Sequence, residues 1–113
     1  MDKLRELTRK RKEAHSKMLK MGSKVYENFL DMEAATYCDG ALSKKQKELI
    51  AVGISVVINC ESCMQWHIEQ AAKDGADQQQ ILEAIEVGIE MAGGPATSYA
   101  RFALDVMEDV FGK

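Results

Sequence analysis

Short clusters of chain-breaking residues divide this sequence into segments of helical length. Four clusters combine Gly with Ser, Asp or Pro: Gly22-Ser23, Asp39-Gly40, Asp74-Gly75 and Gly93-Gly94-Pro95. Gly is favoured just after a helix, whereas Ser, Asp and Pro are favoured where a helix begins. No pair of alternating strands separated by a two-residue turn is visible, as a β-hairpin would require. The sequence therefore predicts an all-α fold of about six helices.

Apolar residues recur at helical spacing between these clusters. We predict a basic helix within residues 1–22 and five further helices, which start at or just after Ser23, Ser43, Cys60, Asp77 and Pro95. The third helix runs through residues 49–58, where β-branched side chains would also suit a buried strand. Ser43 and Gln46 have the form of a capping box, and that signal favours a helix.

Length and composition restrict the class of protein. A chain of 113 residues with 46% hydrophobic residues and one Pro is expected to fold as a single small domain. Its longest apolar run, residues 49–58, is about half the ~20 residues that a membrane-spanning helix needs. The first residues lack the apolar segment of a signal peptide. We therefore expect a cytoplasmic protein with no membrane partner, in which three cysteines suit catalysis or metal binding better than a disulfide framework.

Charge is unevenly distributed along the chain. Residues 1–24 carry nine of the fifteen basic residues and a net charge of +6, so the remainder carries −9. The basic run at residues 9–12 could contact phosphate, but apolar residues at helical steps favour a helix that packs on the acidic body or on a neighbouring subunit: Leu4, Leu7, Ala14, Met18 and Met21. We expect no nucleic-acid partner, and we divide the chain into a basic helix, 1–22, and a helical domain, 23–113.

The segment from residue 60 to residue 67 carries the strongest chemical signal. Cys60 and Cys63 form a CxxC pair, and His67 follows the second cysteine by four residues. On a helix, this spacing places both sulfurs and the imidazole on one patch. A helix N-terminus and a neighbouring imidazole both stabilise a thiolate, and a CxxC pair can close a disulfide across one turn. The pattern is typical of a redox-active dithiol.

Two other interpretations use the same residues. Each cysteine and the histidine could be a buried structural residue. Alternatively, Cys38 could complete a Cys3His set for zinc with Cys60, Cys63 and His67. Structural zinc sites usually take their second ligand pair from a separate segment, whereas three of these candidates share one helix. The spacing therefore favours redox chemistry over metal binding.

The chain resembles the carboxymuconolactone decarboxylase-like superfamily and, within it, the alkylhydroperoxidase D-like branch. The similarity extends over roughly residues 25–110 and is carried by four segments: 41–60, 60–76, 81–95 and 96–109. The branch motif is a Glu twelve residues before a CxxC, with a His four residues after the second Cys. Glu48, Cys60, Cys63 and His67 fit this motif residue by residue. Ser62 departs from it, since the best-known peroxidase of the branch has a second His between its cysteines.

The resemblance implies an all-α protein that forms homotrimers or homohexamers, with each CxxC at a helix N-terminus. It also implies a role for Glu48, which would orient His67 or relay its proton while His67 draws the proton from Cys63. No organic cofactor is implied, and no Gly-rich phosphate loop is visible, because residues 93–95 lack the strand, the spacing and the Lys of such a loop.

Together these features predict a thiol-dependent oxidoreductase that reduces hydroperoxides or disulfides with electrons from a protein or small-molecule thiol. Cys63 is the predicted nucleophile because His67 lies four residues from it, and Cys60 is the predicted resolving residue. The alternatives are a decarboxylase or lyase acting on a small lactone, with His67 and Glu48 as acid and base, and a zinc-binding module.

Overall fold

The computed structural model describes residues 2–112. Within this range the chain forms six α-helices and no strand: α1 (Asp2–Lys20), α2 (Lys24–Thr36), α3 (Lys44–Val57), α4 (Glu61–Lys73), α5 (Gln78–Ala92) and α6 (Gly94–Phe111). The predicted all-α fold is confirmed, and the β-branched segment 49–58 lies in α3 and the turn after it. No helix among these residues is both long enough and apolar enough to cross a membrane.

The helix starts follow the local signals in the sequence. Ser23 caps α2, and both Ser43 and Asp77 form complete capping boxes with the Gln three residues later. Each box satisfies two backbone N–H groups that the first turn of a helix cannot pair internally. Pro95 lies in the first turn of α6, where its missing N–H costs no hydrogen bond. These local interactions explain why the six segments become separate helices.

The described residues divide into two compact units, and the division follows Cys38. The first unit contains α1 and α2. His15 Nδ1 lies 2.6 Å from the Tyr26 hydroxyl, which joins the two helices. Of the apolar stripe predicted on α1, only Leu4 is buried, whereas Met18 lies on the exposed side of the helix. The packing of the stripe on a neighbouring subunit stays a prediction.

The second unit contains α3 to α6 and the main hydrophobic core. Its largest fully buried apolar side chains come from all four helices: Val52, Val56, Met64, Ile68, Ile81, Ile85 and Val106. Two glycines let α3 and α5 approach closely, since a Cβ atom on Gly88 would lie 2.6 Å from the carbonyl oxygen of Gly53. The backbones therefore meet at a point where no larger residue fits. This contact fixes α3, the helix that carries Glu48.

Candidate redox site

The turn between α3 and α4 positions Cys60. Asn59 adopts a left-handed conformation with φ of 54°, which Asn tolerates better than most residues. The Asn59 N–H donates to the Val56 carbonyl at 3.2 Å, and the Cys60 N–H donates to the Ser55 carbonyl at 3.0 Å. This pair of hydrogen bonds is the Schellman arrangement that ends many helices. Cys60 is thus held by the last turn of α3.

Cys60 is also the N-cap of α4. Its sulfur accepts a hydrogen bond from the backbone N–H of Cys63 at 3.2 Å. One residue therefore ends one helix and starts the next, and Ser23 occupies the same position between α1 and α2. The helix N-terminus directs backbone N–H groups and a partial positive charge at this sulfur, and both stabilise negative charge on it.

Cys60 and Cys63 are joined by a disulfide, with their Cα atoms 5.2 Å apart. Both residues are partly exposed, and Ser62 between them is exposed. The pair is therefore within reach of solvent while Met64, the next residue, is fully buried. The two sulfurs of the CxxC sequence are bonded to each other in this structure.

Glu48 and His67 form the second pair of the site. Glu48 lies in the second turn of α3 with only 2% of its surface exposed, and His67 lies on α4, one turn after Cys63. Glu48 Oε1 is 2.6 Å from His67 Nδ1. As a carboxylate, Glu48 can only accept this hydrogen bond, which requires the proton on Nδ1 and leaves Nε2 as the unprotonated nitrogen of a neutral ring. The carboxylate selects the tautomer of the imidazole.

The carboxylate of Glu48 is held on its other side by Lys44. Lys44 Nζ lies 3.2 Å from Glu48 Oε2 and 2.7 Å from Asp74 Oδ2, at the end of α4. Burial lowers the pKa of Lys44, but the hydrogen bonds and the charge attraction of Asp74 and Glu48 together raise it by more, so this pKa lies above its ordinary value. Lys44 is a stable cation that provides the counter-charge for a buried carboxylate.

All four residues identified in the sequence lie in the second unit, in two bonded pairs on α3, α4 and the turn between them. Cys63 and His67 are four residues apart on α4, a spacing at which side chains are neighbours on one helix face. Sequence reasoning missed Lys44 and Asp74 as members of the site. Lys44 had a detectable signal in its four-residue distance from Glu48, whereas nothing in the sequence pairs it with Asp74, thirty residues away.

The zinc hypothesis gains no support from the residues that the structure describes. Among them, no group of three or more His, Cys, Asp or Glu side chains is arranged to hold a metal ion. Cys38 belongs to the first unit, where its exposed thiol donates to the Ala35 carbonyl at 3.3 Å. The sulfurs of Cys60 and Cys63 are bonded to each other in the disulfide.

Comparison with known proteins identifies relatives of this chain. The model of the carboxymuconolactone decarboxylase family matches residues 23–106. A protein of Paracoccus denitrificans named uncharacterized protein 4 in cox locus is 38% identical over 91 residues, which cover 80% of this chain and 82% of the relative. An uncharacterized protein of Cupriavidus necator is 44% identical over 73 residues, which cover 65% of this chain and 64% of the relative.

Two solved structures share the fold. One is lpg0406 of Legionella pneumophila, a carboxymuconolactone decarboxylase family protein, with a TM-score of 0.91 and 32% identity over 97% of this chain and 98% of that chain. The other is TM1620 of Thermotoga maritima, a member of the same family with a suggested involvement in the antioxidative response; its TM-score is 0.84, with 26% identity over 93% of this chain and 89% of that chain. The family model and these relatives agree, and the chain belongs to the carboxymuconolactone decarboxylase family.

Proposed function

We propose that this chain is a thiol-dependent oxidoreductase that cycles Cys60 and Cys63 between dithiol and disulfide. The observation that supports it best is the Cys60–Cys63 disulfide at the start of α4, one turn before a histidine whose Nδ1 lies 2.6 Å from the buried carboxyl group of Glu48. The suggested antioxidative role of TM1620 points in the same direction. The proposed substrate class is a hydroperoxide or a disulfide, and the proposed donor is a protein or small-molecule thiol.

With a hydroperoxide, Cys63 is the proposed nucleophile. His67 Nε2 takes the proton of the Cys63 thiol, and the thiolate attacks the terminal peroxide oxygen. The O–O bond breaks, the imidazolium returns the proton to the departing alkoxide, and Cys63 becomes a sulfenic acid. The Cys60 thiol then attacks the Cys63 sulfur, which forms the disulfide and releases water. Two electrons and two protons from an external dithiol restore both thiols.

The cap interaction of Cys60 stabilises a thiolate at this position, which its proposed role as resolving residue requires. When an external thiolate attacks the Cys63 sulfur of the disulfide, Cys60 departs as a thiolate. The Cys63 N–H, which donates to Cys60 Sγ at 3.2 Å, stabilises negative charge on that leaving sulfur. A stabilised leaving group departs faster in thiol–disulfide exchange. The same hydrogen bond would also favour Cys60 as the attacking sulfur, so selective labelling is needed to separate the two assignments.

The experiment that tests the proposed function combines mass and turnover. Reduced protein is treated with peroxide and weighed under native conditions, where loss of two hydrogens reports the disulfide. Peroxide consumption with a dithiol donor is then measured for Cys63→Ser and Cys60→Ser. We expect turnover to be lost in both variants. A reduced protein that consumes no peroxide and reduces no disulfide substrate would contradict the proposal.

A second candidate is a lyase acting on a small lactone, which the family name and the Glu48–His67 pair favour. In that reaction His67 would act as acid and base, and the cysteines would be structural. Cys63→Ser separates the candidates, since a lyase would retain much of its turnover in this variant.

We also propose that the chain works as a homo-oligomer, a trimer or a hexamer, in the cytoplasm, where thiol donors are maintained in reduced form. The outer face of α3 and α5 supports self-association. It contains a groove of about 640 Å³ between the two helices. Large apolar side chains of this face are exposed, among them Ile54 at 54% and Val87 at 62%. Such a face is more typical of a subunit interface than of a monomer surface, and we assign a second copy of the chain as its partner.

A further inference from the structure

We propose that Lys44 is a positioning residue of the redox site: its ammonium group, anchored by Asp74, holds the Glu48 carboxylate in the orientation that directs His67. This inference rests on the proposed function, because it assigns a further residue to the same site. Lys44 does not touch the sulfurs and is not a catalytic residue in this proposal.

The two oxygens of Glu48 have separate partners. Oε1 meets His67 Nδ1 at 2.6 Å, and Oε2 meets Lys44 Nζ at 3.2 Å. Both hydrogen bonds are made by a side chain with 2% of its surface exposed. A carboxylate in such a position depends on its partners, since burial of an unpaired charge is costly. Loss of Lys44 would remove the counter-charge and leave Oε2 without this donor.

Asp74 determines where the ammonium group lies. A lysine side chain has a flexible stem, and at an exposed position it seldom holds one geometry. Here Nζ is fixed from two directions, by Glu48 on α3 and by Asp74 at 2.7 Å, and the side chain of Lys44 is only 32% exposed. Asp74 is the C-cap of α4, the helix that also carries Cys63 and His67. Lys44 therefore links the first turn of α3 to the far end of the helix that carries the reactive groups.

The proton between Glu48 and His67 can lie on either partner, and its position determines the tautomer of the ring. A protonated Glu48 could donate to His67 Nδ1, which would place the remaining imidazole proton on Nε2. His67 could then no longer accept a proton from Cys63 at Nε2. The Lys44 ammonium group lies 3.2 Å from Oε2, so Oε1 is the oxygen that faces Nδ1 and can accept its proton in a hydrogen bond. Lys44 would thus act on the chemistry through the tautomer of His67.

The test uses the reduced full-length chain and reads the tautomer directly. Nitrogen-15 NMR distinguishes protonated from unprotonated ring nitrogens, and the chain has only two histidines, so His15 is an internal reference. We expect a protonated Nδ1 and an unprotonated Nε2 on His67 in the native chain. Lys44→Met should shift His67 towards the Nε2-protonated form and slow alkylation of Cys63 about 5-fold. Lys44→Arg, which keeps the cation, should restore both properties.

Two further variants serve as a second test of the positioning role and as its control. Asp74→Asn leaves Lys44 in place but removes its charged anchor, so we expect an intermediate tautomer shift even if Lys44→Met folds poorly. Lys17→Met removes an ion pair of the same spacing from α1, that of Lys17 Nζ with Glu13 Oε1 at 3.1 Å. This variant should change neither the His67 tautomer nor the alkylation rate of Cys63. An unchanged His67 tautomer in both folded Lys44→Met and Asp74→Asn would overturn the positioning role. If the native chain showed no turnover of peroxide or of a disulfide substrate, the proposed function would be overturned. The tautomer measurement would still stand.

Discussion

Glu48 Oε1 lies 2.6 Å from His67 Nδ1, although the two residues are 19 positions apart and belong to different helices. The contact joins a nearly inaccessible carboxylate to a ring that is 12% exposed. It therefore connects the protein interior to a helix face that also carries Cys63. One ring nitrogen of His67 is thus held by a residue of another helix, which fixes the orientation of the imidazole.

The first prediction concerns the nucleophile. Brief alkylation of the reduced protein near neutral pH should modify Cys63 before Cys60, because His67 is the nearer proton acceptor. The Cys63 rate should fall at least about 10-fold in His67→Ala and less steeply in Glu48→Gln. Peptide mass spectrometry measures each site, and the exposed Cys38 provides an internal rate that should not change. Faster labelling of Cys60 would reverse the assignment of the two sulfurs.

The second prediction concerns the α4 cap. Under reducing conditions, the free energy of unfolding measured with urea should be about 1 kcal/mol lower for Cys60→Ala than for Cys60→Ser. The reason is that the Ser hydroxyl replaces the N-cap acceptor, whereas Ala has none. The hydrogen bond from the Cys63 N–H to Cys60 Sγ is the interaction being tested. Equal stability of the two variants would show that the cap contributes little once the disulfide is open.

The third prediction concerns the contact of α3 with α5. Gly88→Ala would place a Cβ atom 2.6 Å from the Gly53 carbonyl oxygen, so the helices must separate. We expect a loss of about 1–3 kcal/mol in the free energy of unfolding, measured with urea. Gly94→Ala is the matched control, since a Cβ there has no neighbour within 4 Å, and it should change stability little. Similar effects of both substitutions would contradict the proposed close approach.

The fourth prediction concerns alkaline pH. The pKa of Lys44 is raised above its ordinary value of 10.5, so the charged form is favoured in the folded state. Its stabilising contribution is complete below the unfolded pKa and is lost as pH rises through the folded pKa. Lys44→Arg keeps a permanent cation and should lose less stability above pH 10.5 than the native chain. Urea unfolding of both proteins across this range measures the difference, which should vanish if Lys44 is not ion-paired.

The fifth prediction concerns assembly. Light scattering at micromolar concentration should give the mass of a trimer or hexamer. Ile54→Glu should reduce this mass, because it places a charge on the outer face of α3 and α5. Leu104→Glu introduces the same charge at an exposed apolar site on α6, outside the groove, and is the control. A native mass equal to one chain would refute the proposed oligomer.

Local interactions explain how much of the fold the sequence predicted. Ser43 and Asp77 begin helices through contacts with residues three positions away, so these helix starts can be predicted from the sequence alone. The turn at Asn59 was missed, because a left-handed Asn is permitted rather than required. The contact of Gly53 with Gly88 was missed for a different reason: a glycine within a helix does not reveal which neighbour approaches it.

The candidate site shows the same division. Cys60, Cys63 and His67 are close in the sequence, and helical spacing alone brings them together. Glu48 was found through the resemblance to a known family, since its pairing with His67 depends on how α3 packs against α4. Asp74 was predicted only as part of a helix end, because its ion pair with Lys44 also depends on tertiary packing.

The close approach at Gly53 and Gly88 sets the axial register of α3. Each residue that α3 advanced along its axis would move Glu48 by about 1.5 Å, enough to break a hydrogen bond of 2.6 Å to His67. The carbonyl of Gly53 fits against the bare backbone of Gly88, so sliding would bring side-chain atoms of α3 into a space that has no room for them. A substitution on α5 that displaced α3 would therefore lengthen the contact of Glu48 with His67 without touching either cysteine.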